Sequence, residues 1–306
     1  MKKVFVALML ISSIIWSQEV KVLSKKELTG IQPNSFYFPV LNYDGTKVLL
    51  SKENYAGLFL FDIAANKLTV ISEELGTGYN PIFSEDGSKI IYKKDYFDGI
   101  KKYSDLIEYN LYTGEKNTLL NKERFMSFRI DPNSKTLFVN TENKVNSINL
   151  VDLKLTENKS EYKFAIPSNE SILLVSNNNS IEYKPFGNGN YIWVSLSNNN
   201  KLLFQYAGKG TFVTDLNTNE IYEIGKANAP IFSVDGKYVI YMNDKDDGHK
   251  VFASDILVST FDGKSTFNLT SSVDEIEVYP AISGNGKNIA YCTEDGRIVI
   301  LEVSFE

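Results

Sequence analysis

Short apolar runs separated by polar turn residues recur along most of the chain. Residues 81–92 and 230–241 follow one plan: Pro-Ile-Phe-Ser, any residue, Asp-Gly, and then an apolar run that ends in Tyr. Two further copies, at residues 39–50 and 280–291, follow the same plan. Three degenerate copies centre on residues 131–135, 167–171 and 197–201. Repetition of this kind decides the fold class before any local assignment.

Each copy predicts a β-hairpin. Asp-Gly and Asn-Gly supply the positive φ values of a tight turn, and Pro stands at a strand start, where its missing N–H costs least. The apolar runs that follow, such as residues 89–92 and 201–204, are too short and too rich in β-branched and aromatic residues for a helix. A second module of strand, turn and strand follows the hairpin, as in residues 58–71 and 213–224. Each repeat therefore carries four strands, which is the blade of a propeller.

The pattern predicts an all-β fold, a β-propeller of about seven four-stranded blades. Six blades are the alternative, because the repeat spacing is short between residues 161 and 189 and the Asn-rich turns there lack Gly. Repeats two and six share an insertion between their second and third strands, at residues 98–107 and 247–257. A duplicated insertion indicates a common origin of the repeats.

The two ends of the chain predict how the ring closes. The last repeat has only three strands, at residues 277–282, 288–293 and 297–304. Residues 20–29 resemble the fourth strand of the preceding repeat, at residues 265–270. We therefore expect residues 20–29 to complete the C-terminal blade, which would remove a strand edge that invites aggregation.

The N-terminus has the features of a signal peptide. Two lysines precede an apolar run at residues 4–16, and Ser17 follows it; this order is typical of a secretory signal, and the run is too short to span a bilayer comfortably. An apolar first strand is the alternative. We predict that residues 1–17 are cleaved and that residues 18–306 form a single propeller domain, periplasmic or secreted. No Cys lies at the end of the run, where a lipoprotein anchor would be attached, so a lipoprotein anchor is not expected.

The hairpin Pro-x-Phe-Ser-x-Asp-Gly-x-Lys at residues 81–89, the Ser-Asp strand openings at Ser104 and Ser254, and the Thr-Gly turn at Thr113 resemble the WD40-like, or TolB-like, β-propeller repeat of bacterial envelope proteins. The resemblance covers residues 35–306. It implies an envelope or extracellular propeller with protein-binding surfaces. The stretch between the predicted signal peptide and the first repeat leaves no room for the α/β domain that precedes the propeller in TolB.

The net charge of the chain limits the classes of partner that it is expected to bind. The formal net charge is −6, and removal of Lys2 and Lys3 with the signal peptide takes away two positive charges and leaves −8. An acidic surface argues against nucleic acid and against anionic membranes as partners. We expect a monomer without a transmembrane segment after cleavage, whose partner is an envelope or extracellular protein.

Few residues of the usual catalytic types are present. Cys292 is the single cysteine and His249 the single histidine, so neither a disulfide nor a zinc site of several Cys or His ligands can form within the chain. Cys292 follows Tyr291 in an apolar strand, which indicates a buried small side chain. No Gly-x-Ser-x-Gly nucleophile elbow occurs, and Arg appears only at positions 124, 129 and 297. Carboxylate-based glycosidase chemistry stays open.

The acidic stretch at residues 244–249 offers Asp244, Asp246 and Asp247 as candidate ligands for Ca²⁺, which prefers clustered oxygen atoms. The spacing departs from an EF-hand loop, because Gly248 stands at the fifth position and has no ligating side chain. A solvated loop is the alternative, and the analogous aspartates of repeat two allow the same two interpretations. Asp105 and Asp255 are expected to accept backbone hydrogen bonds at strand entries.

Several aromatic residues fall at or near the first strands of the repeats, close to the predicted central channel. Such rings could line a sugar or peptide site, because they combine apolar faces with polar groups, whereas packing between blades is the structural alternative. The candidate binding residues are Tyr37, Tyr79, Trp193 and Tyr279, with Phe38 and Phe125 nearby.

The sequence therefore predicts a non-enzymatic propeller without a cofactor, acting as a protein-binding scaffold in the bacterial envelope. A propeller that binds a small ligand or a glycan is the alternative, and a carboxylate-based hydrolase is the third hypothesis. Clustering of Trp193 with acidic side chains would favour the two alternatives.

Overall fold

The computed structural model describes residues 19–28, 30, 35–131, 136–141, 144–150, 155–156, 164–176 and 180–305. In these residues, 27 strands form seven separate sheets. The predicted signal peptide at residues 1–17 lies outside the described residues, and so does the predicted turn after Asp131.

The first four sheets are blades 1 to 4. Blade 1 contains β2 (Tyr37–Leu41), β3 (Lys47–Ser51), β4 (Leu58–Asp62) and β5 (Lys67–Ser72). Blade 2 contains β6 (Ile82–Phe83), β7 (Lys89–Asp98), β8 (Lys101–Asn110) and β9 (Lys116–Glu123). Blade 3 contains β10 (Met126–Asp131), β11 (Thr136–Thr141), β12 (Lys144–Asn149) and β13 (Leu155–Thr156). The described residues of blade 4 form three strands, β14 (Phe164–Ser168), β15 (Ser171–Val175) and β16 (Ser180–Tyr183).

The last three sheets complete the ring. Blade 5 contains β17 (Tyr191–Leu196), β18 (Lys201–Tyr206), β19 (Gly210–Asp215) and β20 (Glu220–Gly225). Blade 6 contains β21 (Asn228–Phe232), β22 (Tyr238–Asp246), β23 (Val251–Thr260) and β24 (Thr266–Asn268). Blade 7 contains β25 (Glu277–Ile282), β26 (Asn288–Thr293), β27 (Ile298–Phe305) and, at its outer edge, β1 (Val20–Glu27). The prediction of an all-β propeller with seven blades is confirmed, and the six-bladed alternative is wrong.

The hairpin motif works through its serine as well as its Asp-Gly pair. In blade 6, the Ser233 hydroxyl donates to Asp235 (2.7 Å) and accepts from the backbone N–H of Tyr238 (3.0 Å). Asp235 also accepts from the N–H of Lys237 (3.1 Å), and Gly236 adopts a φ of 65°. The repeated aspartates are therefore turn residues, as expected. Blades 2 and 7 form the same bonds with Ser84 and Asp86 and with Ser283 and Asn285.

The hydrophobic core lies between neighbouring blades. Successive side chains of a strand point to opposite faces, so each central strand packs against two neighbours. In blade 2, Ile90 packs against blade 1, while the next residue, Ile91, packs against blade 3. This explains why the central strands are near-continuous apolar runs, because both of their faces are buried.

The ring closes through the N-terminal strand. β1 pairs antiparallel with β27, from Val20 opposite Phe305 to Glu27 opposite Val299. Ion pairs support the junction: Arg297 Nη1 lies 2.9 Å from Glu275 and 3.3 Å from Glu27, and Lys25 Nζ lies 3.2 Å from Glu275. The predicted closure at residues 20–29 is confirmed, with the strand ending at Glu27. Blade 7 in turn packs on blade 1 through β25 and β2.

Candidate binding face

The predicted site residues lie toward one end of the ring, which we call the top face: the end at which the first strand of each blade begins. Because the strands of a blade are antiparallel, the loops between second and third strands and the loops between blades also lie at this end. The insertions of repeats two and six form long hairpins here, β7–β8 and β22–β23, whose strands have nine or ten residues instead of the five of β3 and β4.

The innermost strands share a bulge near the top face. Their pairing with the second strand is interrupted for two residues in blades 1, 5, 6 and 7. One residue of each interruption has a left-handed φ: Phe38 (53°), Trp193 (48°), Ala229 (45°) and Tyr279 (55°). In blade 2, Asn80 has the same conformation just before β6. A bulge redirects a side chain, and positive φ is rare for bulky residues, so these aromatic rings are held in constrained positions.

Proline explains most of these bulges. Pro39, Pro81, Pro230 and Pro280 directly follow the left-handed residue in four of the five blades. Because proline has no N–H, it cannot donate to the second strand, and the ladder is interrupted at that position. The repeated proline, which the sequence suggested only as a strand start, is thus the signal that could have located the bulges.

Four aromatic rings from blades 7, 1 and 2 form a continuous row across the top face, and we call it the aromatic row. Phe38 lies between Tyr279 and Tyr55, with ring centroids 4.6 Å and 4.2 Å away. Tyr55 meets the edge of Tyr79 at 5.0 Å, and the Lys93 ammonium lies 4.5 Å from the centroid of the Tyr79 ring. The row therefore ends in a cation–π contact.

The row brings together two of the four predicted binding residues, Tyr79 and Tyr279. Tyr37 lies beside it, 6.3 Å from Phe38 by ring centroids, with its hydroxyl donating to the carbonyl of Glu294 (3.2 Å). Trp193 is separate, because it lies on β17 of blade 5, two blades before Tyr279 around the ring. Tyr55 was not among the predicted residues; it belongs to the turn Glu53–Tyr55 after β3.

Two phenols of the row, those of Tyr55 and Tyr279, have raised pKa values. Burial raises the pKa of Tyr55, and Tyr79 and Tyr279 raise it further. Burial is also the largest cause of the raised pKa of Tyr279, with additional contributions from Cys292 and Asp244. The row thus offers aromatic faces and phenol hydroxyls, which suit recognition of a surface that is both apolar and polar.

Lys93, at one end of the row, lies in a cluster of charged side chains around Asp95. Asp95 lies 2.7 Å from Lys102 and 3.7 Å from Lys93, and it accepts from the Ser104 hydroxyl (2.6 Å). Burial alone would raise the pKa of Asp95, but these partners outweigh it and lower the pKa. Burial lowers the pKa of Lys93, while Asp95 opposes this shift. The analogous aspartate of the calcium hypothesis is therefore paired with lysines here.

The three calcium candidates of blade 6 have different surroundings. Asp244 is buried and accepts from the Asn228 amide (2.5 Å). Asp246 accepts from the Gly248 N–H (2.9 Å), and Asp247 accepts from the N–H groups of His249 (2.9 Å) and Lys250 (2.8 Å). The last two thus stabilise the hairpin turn. Among the described residues, no group of three or more His, Cys, Asp or Glu side chains could hold a metal ion.

Other polar residues have the structural roles expected from the sequence. Asp105 accepts from the N–H of Lys122 (2.9 Å), and Asp255 accepts from the N–H of Ser272 (3.2 Å). Cys292 is fully buried, and this burial raises the pKa of its thiol to about 12, so the group is a thiol at neutral pH.

Exposed apolar side chains concentrate on the top face. Of the 16 large hydrophobic side chains that are exposed in the described part of the chain, eight lie there. Three lie on the opposite face and five on outer strands. The eight of the top face are Leu75, Tyr79, Phe97, Ile100, Phe125, Trp193, Phe252 and Val273. A face with this density of exposed apolar groups is typical of a binding surface.

No protein-family model matches the chain, and no curated protein matches its sequence. Solved structures share its fold. TolB from Acinetobacter baumannii is 16% identical with a TM-score of 0.51, over 80% of this chain and 56% of TolB. A chain of the mitotic checkpoint complex is 11% identical with a TM-score of 0.58, over 99% of both chains. The tricorn protease is 17% identical with a TM-score of 0.54, over 89% of this chain and 26% of the protease. The chain thus spans just over half the length of TolB, and it is a seven-bladed β-propeller that shares its fold with TolB and with this checkpoint-complex chain.

Proposed function

We propose that the chain is a non-enzymatic propeller of the periplasm or of the extracellular space, and that it holds another protein against its top face. The concentration of exposed apolar side chains on that face supports the proposal most directly. Ile100 is 97% exposed and Phe97 64% exposed, both at the tip of the β7–β8 hairpin. Folding does not require such groups at a protruding tip, whereas protein interfaces are built around exposed apolar and aromatic anchors.

Further support comes from the rigidity of the face. The left-handed residues Phe38 and Tyr279 are held by bulges on central strands, and rings fixed in this way lose little conformational freedom when a partner binds. The proposed compartment follows from the signal peptide predicted at residues 1–17 and from the TolB-like repeat. Among the described residues, no helix has the length and apolar character that are needed to cross a membrane.

A glycan or small ligand is the second candidate for the same face, and the aromatic row favours it. Four contiguous rings, three of which carry a phenol hydroxyl, provide both stacking surfaces and hydrogen-bonding groups. The two candidates differ in where binding is concentrated. A protein partner would engage the hairpin tip at Phe97 and Ile100, whereas a glycan would depend on Tyr79 and the rest of the row.

The test compares a variant of the top face with one of the opposite face. Phe97→Ser/Ile100→Ser is expected to lose at least 30-fold in affinity for the partner, because interface anchors contribute about 2 kcal/mol or more. Tyr112→Ser is the matched control, since Tyr112 is 83% exposed but lies on the opposite face between β8 and β9. The measurement is affinity capture from the envelope fraction of the source organism, with quantitative mass spectrometry.

Support requires one and the same protein to be retained by the parent chain and by Tyr112→Ser and to be lost by the top-face variant. Equal retention by all three chains would contradict binding at the top face. If no protein is enriched and immobilised envelope glycans retain the parent chain but not Tyr79→Ala, the second candidate replaces the first.

A further inference from the structure

One position of the innermost strands departs from the repeat in blade 7. Two residues before each left-handed residue, at the start of the innermost strand or just before it, the chain has a buried side chain or no side chain at all. The residues at this position in blades 1, 2, 5, 6 and 7 are Phe36, Gly78, Tyr191, Ala227 and Glu277. Glu277 is thus a carboxylic acid where the equivalent residues are aromatic or small, in a place that excludes solvent.

The carboxyl group of Glu277 has no close hydrogen-bond partner in the described part of the chain. Its residue is 0% exposed, and neither Oε1 nor Oε2 has a hydrogen-bond partner in the described part of the chain. The Ser254 hydroxyl is also buried without a partner among the described residues, whereas the buried Tyr291 hydroxyl faces Lys25. Ser254 is bridged to Ile276, directly before Glu277. The nearby Ser272 hydroxyl donates to the carbonyl of Glu275 (3.1 Å). An ionised carboxylate in such a place is strongly disfavoured.

The ionisable groups around Glu277 come from several elements. Asp255 on β23 and Glu275 just before β25 are acidic, Tyr291 on β26 is a neutral phenol, and Lys25 on β1 is basic. Burial is the largest cause of the raised pKa of Glu277, and it outweighs the lowering by the nearby Ser272 hydroxyl, whose close hydrogen bond is to the carbonyl of Glu275. Asp255 and Glu275 raise the pKa further, whereas Lys25 lowers it.

The polar and charged groups on the remaining neighbours of β25 bind partners other than Glu277. On β22, Asp244 is bonded to Asn228 of β21 and acts on Tyr279. On β2, the hydroxyl of Tyr37 bonds the carbonyl of Glu294. Lys25 itself is paired with Glu275 at 3.2 Å. The seam between blades 6 and 7 therefore supplies Glu277 with no dedicated cation.

Glu108 on β8 shows how this fold pairs a buried carboxyl group with a cation. Its residue is 2% exposed, and its carboxylate lies 2.8 Å from Lys89 Nζ and accepts from the Asn117 amide (3.3 Å). Glu108 and Glu277 are thus two buried glutamates of one chain, one with a cation and one without. They provide a matched comparison.

We propose that Glu277 is protonated in the closed ring, and that its ionisation loosens the seam between blades 6 and 7. The unfolded chain releases the proton near the ordinary pKa of 4.5, whereas the folded ring keeps it to a higher pH. Because the folded state then binds more protons than the unfolded state, stability falls as the pH rises from about 4.5 to the raised pKa, and it is constant above that value as far as this group is concerned. The ring is therefore tightest in mild acid.

The test is the dependence of urea unfolding on pH for the parent chain, Glu277→Gln and Glu108→Gln. One retained proton makes the unfolding constant of the parent rise up to tenfold per pH unit within this window. In Glu277→Gln this contribution is absent, so the difference between variant and parent grows with pH in favour of the variant. Glu108→Gln is expected to be less stable than the parent, because Lys89 loses its ion-pair partner.

Two further measurements keep the result independent of how the variant folds. In the parent chain labelled with ¹³C at the glutamate carboxyl carbon, the resonance that is missing in Glu277→Gln should titrate above the other glutamates. Hydrogen exchange at β25 and at Ser254 should accelerate with pH beyond the intrinsic rate in the parent but not in Glu277→Gln. A titration of that resonance at or below 4.5, or a stability difference that does not change with pH, would overturn the proposal.

Discussion

A chain that begins at Leu28, and so lacks β1, is expected not to form a stable monomeric ring. Without β1, the whole of β27 (Ile298–Phe305), which is a largely buried strand, becomes the open edge of its blade. Seven residue pairs of the β1–β27 ladder are lost, and at about 0.5–1.5 kcal/mol for each hydrogen bond this amounts to roughly 5 kcal/mol. That is a large part of the stability of an ordinary domain. The exposed edge also favours pairing between chains.

The measurement is light scattering after size-exclusion chromatography together with urea unfolding, compared with a chain that begins at Glu19. The expected result is aggregation or a greatly lowered unfolding midpoint. Lys25→Ala/Glu27→Ala separates the ladder from the ion pairs, because it keeps the backbone of β1 and removes the ion pairs of these side chains with Glu275 and Arg297, together with the contact of Lys25 with Tyr291. These side chains are partly exposed, so their loss should cost less than about 1 kcal/mol. A monomeric Leu28 chain with an unchanged midpoint would contradict the closure argument.

Closure could be predicted from the sequence because it rests on counting strands. The last repeat lacks a fourth strand, and the N-terminal segment has the pattern of one. The hairpin turns were equally accessible, because their chemistry is local: Ser233, Asp235 and Gly236 act within five residues of one another. Local hydrogen bonding of this kind needs no knowledge of the ring.

The aromatic row could be predicted only in part, because its contacts depend on the geometry of the ring. Tyr279 and Phe38 are 241 positions apart and meet because blade 7 closes on blade 1. Tyr55 lies in a turn outside the repeated motif, so no repeat position pointed to it. Trp193 occupies the equivalent bulge position to Tyr279 but on a blade too far around the ring. The position of a residue in the repeat thus predicts whether its side chain lies toward the top face. Which rings contact one another depends on the blades that carry them.

Glu277 illustrates a further limit. In the sequence it is one of several acidic residues around the start of the last repeat, and nothing local distinguishes it from Glu275, which is partly exposed and paired with Arg297 and Lys25. Its burial becomes clear only when the bulges align it with Phe36 and Ala227 in the other blades. Once such bulges are known, the repeat itself identifies residues that break the pattern, and these are candidates for special roles.

Phe204→Ala is expected to destabilise the ring by about 3–5 kcal/mol, because it removes a fully buried aromatic side chain and leaves a cavity. Phe204 lies on β18 in the cluster between blades 4 and 5, with its ring 5.6 Å from that of Tyr191 and 5.9 Å from that of Phe212. Phe186 also contacts it, at 6.0 Å. Such ring pairs add to the stabilisation that burial alone provides.

Urea unfolding followed by circular dichroism measures the effect, with Phe97→Ala as the matched control. Phe97 is 64% exposed on the top face, so its truncation should change stability by no more than about 0.5 kcal/mol. Phe204→Leu keeps most of the volume and should fall between the two variants. If Phe204→Ala unfolds at the same urea concentration as Phe97→Ala, the contact between blades 4 and 5 contributes little to stability. The core would then have to be concentrated in the cluster that joins blades 6, 7 and 1, where the ring is closed by β1.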